Sequence, residues 1–293
     1  MKTNLDHLPE LKQQNIHTIV DVIHDEFQQV TGFANGKKKH SRIVLIILFG
    51  SYAKGSWVDD PVNGYISDYD ILVVLNRDDL VEEYKIWHTA EERAGQMVKA
   101  PVNILVHTHA EVNDKLQQGH YFFTDIKREG IELYRYQSTE LAEAGTLGPA
   151  EAKKIAEEHY EQWFQSANSF LINYGHCMDR KDFKIAAFEL HQSAERFYAC
   201  ILLVFTNYRP KSHNLKMLHG LAVQQHEKVK EVFPQDTKYN RRCFELLKKA
   251  YVDARYSAHY SISEDELRWL EGQVKQLQVL TETICKEKIS AYT

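Results

Sequence analysis

The sequence predicts the α+β class, with an α/β domain over about residues 1–138 followed by an all-α domain over 149–293. Three observations lead there. Up to about residue 136, short apolar runs alternate with stretches whose apolar residues recur at helical spacing, as strands interleaved with helices do. After Pro149 only the helical period remains. Between the two, Gln137–Pro149 is poor in apolar side chains and holds Ser138, Gly145, Gly148 and Pro149, the composition of a domain joint.

Taken in order, an amphipathic helix is predicted over about Leu5–Val30. The basic run Lys37-Lys38-Lys39-His40 sits in the glycine-containing loop Thr31–Ser41 and reads as a solvated loop. Ile43–Phe49 is apolar throughout, the mark of a buried strand, and runs into the turn and short helix start Gly50-Ser51-Tyr52-Ala53-Lys54-Gly55. A second apolar strand spans 70–75. The 16 residues between Ser51 and Asp68 include Trp57, Asp59, Asp60, Pro61, Asn63 and Gly64 and read as a loop insertion. A charged helix over about Asp79–Val98, a strand at Val102–Val106, a helical stretch around Glu111–Gln118 and a closing strand at Ile131–Tyr134 complete the first domain.

Five helices are predicted in the second half, at about 149–178, 182–205, 214–232, 238–260 and 264–288. Tyr208-Arg209-Pro210 separates the second from the third. Ser263 and Glu266 have the spacing of a capping box at the start of the last.

Composition narrows the function classes. A length of 293 residues with 43% hydrophobic content is ample for two cores. No apolar run approaches the roughly 20 residues of a membrane span, and Lys2, Asp6, Glu10 and Lys12 interrupt any signal-like run, so a cytoplasmic protein without a membrane partner is expected. Cys177, Cys200, Cys243 and Cys285 show no CxxC spacing and read as buried free thiols. Residues 1–149 carry 15 Lys and Arg against 22 Asp and Glu, and residues 150–293 carry 21 against 19. Neither half has the charge of a strongly basic nucleic-acid binder.

Chemistry concentrates at Gly50-Ser51 and Asp68-Tyr69-Asp70. A glycine lets the backbone approach a phosphate without a Cβ clash, and Ser51 adds a hydroxyl and an N–H at a helix start. Two carboxylates two residues apart in a strand point to one face, where they can share a divalent cation. Mg²⁺ takes one or two carboxylates together with phosphate oxygens, and nucleotidyl transfer needs a cation on the phosphates.

Gly50-Ser51 followed by Asp68-x-Asp70 resembles the signature of the minimal nucleotidyltransferases of the DNA polymerase β superfamily, over roughly residues 40–136. The resemblance implies a nucleotidyltransferase-like mixed sheet with helices. Gly50 and Ser51 would hold the β- and γ-phosphates, Lys54 would touch phosphate or lie exposed at the helix start, and Asp68 and Asp70 would carry the metal. The family places a third carboxylate on the neighbouring strand, where this chain has Asn103. An amide coordinates but takes no proton. His107 shares a strand face with Asn103 and is the candidate base, with Glu111 and Asp125 as rivals.

In the second half, the segments Phe188–Tyr198, His213-Asn214-Leu215 and Leu246–Ser257 are similar to a HEPN domain over roughly 150–290. That implies an up-and-down helical bundle, dimerisation through helices and, in some members, metal-independent RNA cleavage by an Arg and a His on one helix. Here the pair is Arg255 and His259, which share a face if the helix runs that far. His191, Glu195 and Arg196 are candidates for lining a groove, or for helix packing.

The expected function is Mg²⁺-dependent transfer of NMP from an NTP to a hydroxyl on a small molecule, a protein or RNA. The HEPN domain would form a homodimer and help bind acceptor or nucleotide. The alternatives are a non-catalytic nucleotide-binding regulator, or a HEPN ribonuclease toxin restrained by the N-terminal domain.

Overall fold

The computed structural model describes residues 1–32, 36–60 and 65–292, and the chain divides into two compact units, Met1–Thr146 and Leu147–Thr293. The first unit opens with α1 (Glu10–Gly32), which starts later than its apolar pattern suggests because Pro9 occupies the first turn and its carbonyl accepts from Lys12 N–H at 2.8 Å. The strands are β1 (Ile43–Phe49), the short β2 (Asp59–Asp60) and β3 (Tyr65–Ile66), then β4 (Tyr69–Leu75), β5 (Val102–Thr108) and β6 (Ile131–Arg135).

A mixed sheet runs in the order β5-β4-β1-β6, with β1 antiparallel to β4 and β6 and β4 parallel to β5. Every residue of β1 and β4 is buried, because helices cover both faces. On one face Ile46, Leu48, Ile71, Val73 and Ile104 pack with Ile16, Ile19 and Ile23 of α1 and with Trp87 and Ala90 of a neighbouring helix. The short helix α2 (Gly50–Lys54) leaves the end of β1, and α3 (Tyr84–Val98) is that neighbour. Its first residue is Tyr84 rather than Asp79, because residues 78–83 form turns that bury Leu80 and aim its carbonyl at Trp87 Nε1, 2.8 Å away. The opposite face carries α4 (His109–Gln117) and α5 (Tyr121–Glu129), where Phe122 meets Phe49 edge-on with ring centres 5.6 Å apart.

Two local features depart from the sequence pattern. Helix α5 was not predicted, since its buried residues Phe122, Phe123 and Ile126 are too few to establish a period. The insertion read as a loop contains the β2–β3 pair, closed at its base where Ser67 N–H donates to the Val58 carbonyl at 2.9 Å and Val58 N–H to Ser67 Oγ at 2.8 Å. Pro61, Asn63 and Gly64 of that insertion lie outside the described residues. The backbone of Gly36–His40 forms a 3₁₀ turn, and Lys38 pairs with Glu83 at 2.5 Å.

The second unit is helical: α6 (Pro149–Asp179), α7 (Phe183–Thr206), α8 (Leu215–Gln225), α9 (Lys238–Ala250), α10 (Asp253–Tyr256) and α11 (Glu264–Ser290). Helix α7 is its centre, buried almost all round and packed against α6, α8, α9 and α11. Two predicted helices are shorter than their patterns. The third stops at Gln225, where His226 turns extended (φ −152°, ψ 117°) and a 3₁₀ turn, Glu227–Glu231, follows. The fourth ends at Ala250, with α10 as a separate single turn. Ser263 and Glu266 form the capping box of α11, and the four cysteines are free and buried. No helix among the described residues is long and apolar enough to cross a membrane.

Candidate active site

Strand register assembles the site. Phe49 pairs with Asp70, and Asp70 with Asn103, so the turn leaving β1 and the starts of β4 and β5 meet at one end of the sheet. Gly50 adopts φ 73°, a left-handed conformation that glycine takes without a Cβ penalty and that lets the chain turn sharply into α2. Gly55 closes α2 with φ 78°, its N–H bonded to the Ser51 carbonyl. The side chain between the two aspartates points the other way. Tyr69 stacks on Tyr52 with ring centres 4.0 Å apart and planes 11° from parallel, and its hydroxyl accepts from Asn15 Nδ2 at 3.2 Å. That stack fixes the start of β4, with Asp70 on it and Asp68 just before it, against the α2 turn and α1. Lys12 of α1 pairs with Asp59 at 2.6 Å, tying the foot of the insertion to the same helix.

Asn103 Nδ2 donates to Asp68 Oδ2 at 3.2 Å and to Asp70 Oδ1 at 3.0 Å. Both carboxylates therefore face one point, and Asp70 and Asn103 are 3% and 6% exposed, out of bulk water where charge is strongly felt. The two carboxylates form an oxygen donor pair that fits Mg²⁺ once phosphate oxygens join it, while Asn103 turns its N–H group toward them. Among the described residues no group of three or more His, Cys, Asp or Glu gathers as a metal cage.

The remaining candidates are spread out. His107 lies on the Asn103 face of β5 but pairs with Val74, four residues along and roughly 13 Å from Asn103 at strand rise. There its Nδ1 is 3.3 Å from Glu111 Oε2 and its ring packs edge-on to Phe123. The sheet thus places His107 and Glu111 at the end away from the aspartates. Lys54 pairs with Glu129 at 3.3 Å, and Glu129 is held below the usual carboxylate range, first by its hydrogen bond from Arg128. Asp125, one turn before Arg128 on α5, bonds that guanidinium at 2.5 Å, and burial raises its pKa.

Glu91 of α3 was invisible to motif reading. Its Oε1 accepts from the backbone N–H of Ile104 at 2.8 Å. Burial pushes this carboxyl up to about 7, outweighing the stabilising amide bond. The proton is bound more tightly in the folded state, so the stability it contributes is complete below pH 4.5 and lost as pH rises through 7. That is on the order of 3 kcal/mol. Glu91→Gln is expected to flatten this part of the stability profile in denaturant titrations between pH 4.5 and 7.5. An unchanged slope would reject it.

In the helical unit, α10 ends at Tyr256, so Arg255 lies on a helical turn and His259 in the loop beyond it. The helix does not run far enough for the pair to share a face. Arg255 Nε donates to the Tyr251 carbonyl at 2.6 Å, and the guanidinium lies 4.5 Å from the Tyr251 ring centre and 4.8 Å from that of Phe188. His191 and Glu195 are core residues, 0% and 4% exposed, rather than a groove lining. His191 Nδ1 donates to the Leu247 carbonyl at 2.9 Å. Glu195 receives His213 Nδ1 at 2.8 Å and Gln192 Nε2 at 3.3 Å, with Arg209 Nη1 at 3.5 Å. Burial opposes its ionisation, but the neighbouring His191, whose Nε2 lies 3.6 Å away, and the bond from His213 prevail and its pKa is lowered. Arg196 lies over the rings of Trp163 and Phe170.

Comparison with known families agrees with both halves. A nucleotidyltransferase domain model matches residues 34–129, and a HEPN domain model matches residues 160–281. No curated protein matches the chain.

Proposed function

Since this chain carries a nucleotidyltransferase domain followed by a HEPN domain, we propose that it binds a nucleoside triphosphate with Mg²⁺ and transfers NMP to a hydroxyl acceptor. The observation that carries this reading is the convergence of Asp68 and Asp70 on one amide nitrogen, beside the Gly50–Ser51 turn. Asp68 and Asp70 would hold Mg²⁺, which supplies neutralising charge for the triphosphate. Gly50 and Ser51 would bind the β- and γ-phosphates through backbone N–H groups and the hydroxyl. In the transfer, the acceptor oxygen bonds to the α-phosphorus as the bond to the bridging oxygen breaks and pyrophosphate leaves. The hydroxyl proton goes to water, because Asn103 has no site to take it. The acceptor is a small molecule, a protein or RNA, and the HEPN domain is proposed to dimerise and to contribute to acceptor or nucleotide binding.

A second reading, nucleotide binding without efficient turnover, is favoured by Asn103 in the position of a third carboxylate. The ribonuclease reading has less support, since Arg255 and His259 do not share a helix. Labelled ATP, GTP, CTP and UTP offered with Mg²⁺ test the proposal. Binding of at least one is expected, falling about 100-fold in the Asp68→Asn, Asp70→Asn double variant, as removal of a cation worth several kcal/mol requires. Absence of binding by the wild type, or equal binding by the variant, would refute the metal site. Pyrophosphate release separates transfer from binding alone.

A further inference from the structure

We infer that Glu91 is a positioning residue of the metal site, holding edge strand β5 so that Asn103 stays between Asp68 and Asp70. This rests on the metal-site reading above.

Among the described residues, strand β5 lies at the edge of the sheet, with only β4 as a strand neighbour. An edge strand has backbone amides that no ladder satisfies, and it can shift or twist away from its neighbour. The outward amide next to Asn103 is that of Ile104, and it is met by a carboxylate from the helix above. Helix α3 is fixed on this face by Ala90 and Ala94, both fully buried, one residue before Glu91 and three after it. The Glu91 side chain is 25% exposed, so its bond with Ile104 is sheltered but not sealed. On its own helix Glu91 has His88, whose Nδ1 is 4.0 Å from Oε2, and Glu92 beside it. Facing α3 from α1 are Asp25 and Glu26, both engaged by Arg93.

The geometric consequence is direct. Asn103 reaches both carboxylates through one nitrogen, at 3.2 and 3.0 Å, distances that a small movement of the strand would break. The peptide unit joining Asn103 to Ile104 is the one Glu91 holds. Partners that orient the groups around a metal in this way are typically worth 10- to 100-fold in metal affinity.

Mn²⁺ binding followed by electron paramagnetic resonance tests the inference on the full chain without any nucleotide. Wild type is expected to bind Mn²⁺ and Asp70→Asn to lose it. Glu91→Leu should bind about tenfold more weakly, Glu91→Asp should lose affinity in the same direction, and Glu91→Gln, which keeps the acceptor, should stay within about twofold of wild type. In an Asn103→Ala background, Glu91→Leu should add less than about twofold, since the two act through one linkage. Wild-type affinity in both Glu91→Leu and Glu91→Asp, with Asp70→Asn still abolishing binding, would overturn the positioning role while leaving the metal site intact. So would a full tenfold loss in the Asn103→Ala background. Mn²⁺ binding that is absent from wild type, or indifferent to Asp70→Asn, would overturn the metal-site reading and this inference with it.

Discussion

An Asn103→Asp variant is expected to transfer nucleotide about a hundredfold faster than wild type at saturating Mg²⁺, the usual scale of a positioned general base. The same variant is expected to be less stable without divalent cation. Asn103 donates to Asp68 and to Asp70. Aspartate removes both bonds and places a third negative charge against two others in a buried setting. Hydrogen bonds to charged groups contribute about 1.5–3 kcal/mol each, so a loss on the order of 3 kcal/mol, or about 10 °C in melting temperature, is expected in EDTA. Mg²⁺ should restore much of it, because an ion that binds only the folded state stabilises it by mass action. Pyrophosphate release and paired melts with EDTA and Mg²⁺ measure the two effects separately. A variant no faster than wild type would show that the missing carboxylate does not limit turnover, and one equally stable in EDTA would show that the amide does not hold the aspartates together.

The second large effect belongs to the helical unit. Glu195→Leu is expected to destabilise the protein by about 3 kcal/mol, the low end for breaking a buried charge pair. Glu195 is 4% exposed and is the common partner of His213, Gln192 and Arg209. Leucine fills a similar volume but leaves the Arg209 charge without its carboxylate. Arg209 and His213 retain 24% and 48% side-chain exposure, so water recovers part of the loss, which is why the low end applies. Glu195→Gln keeps an acceptor for His213 and should lose less. Denaturant titration of the three proteins checks the order, and a Leu variant as stable as wild type would mean that the network sets specificity rather than stability.

Much of this could be anticipated from residue order. The all-apolar Ile43–Phe49 reads as a buried strand, as it is, and Gly50-Ser51 with Asp68-x-Asp70 marks a candidate site because alternation puts both carboxylates on one face. The Ser263–Glu266 box marked the start of α11 because capping is a local hydrogen-bond exchange. By contrast, helix α5 escaped notice because its apolar residues cluster in two adjacent aromatics, and α9 and α10 read as one helix because nothing in Lys249–Asp253 is a strong breaker.

The sequence by itself determined the local elements and the candidate groups on them: period and spacing act over a few residues, so the Gly50–Ser51 turn and the Asp68-x-Asp70 spacing are each legible within one short segment. Only the tertiary structure decided how distant positions combine. Parallel pairing of β4 with β5 set Asn103 beside Asp70 and carried His107 to the other end of the sheet. Packing of α3 brought Glu91 to the Ile104 amide. The end of α10 at Tyr256 separated Arg255 from His259. The physical reason is shared: strand register, helix packing and helix termination are fixed by burial of the core as a whole, and no window of neighbouring residues contains that information.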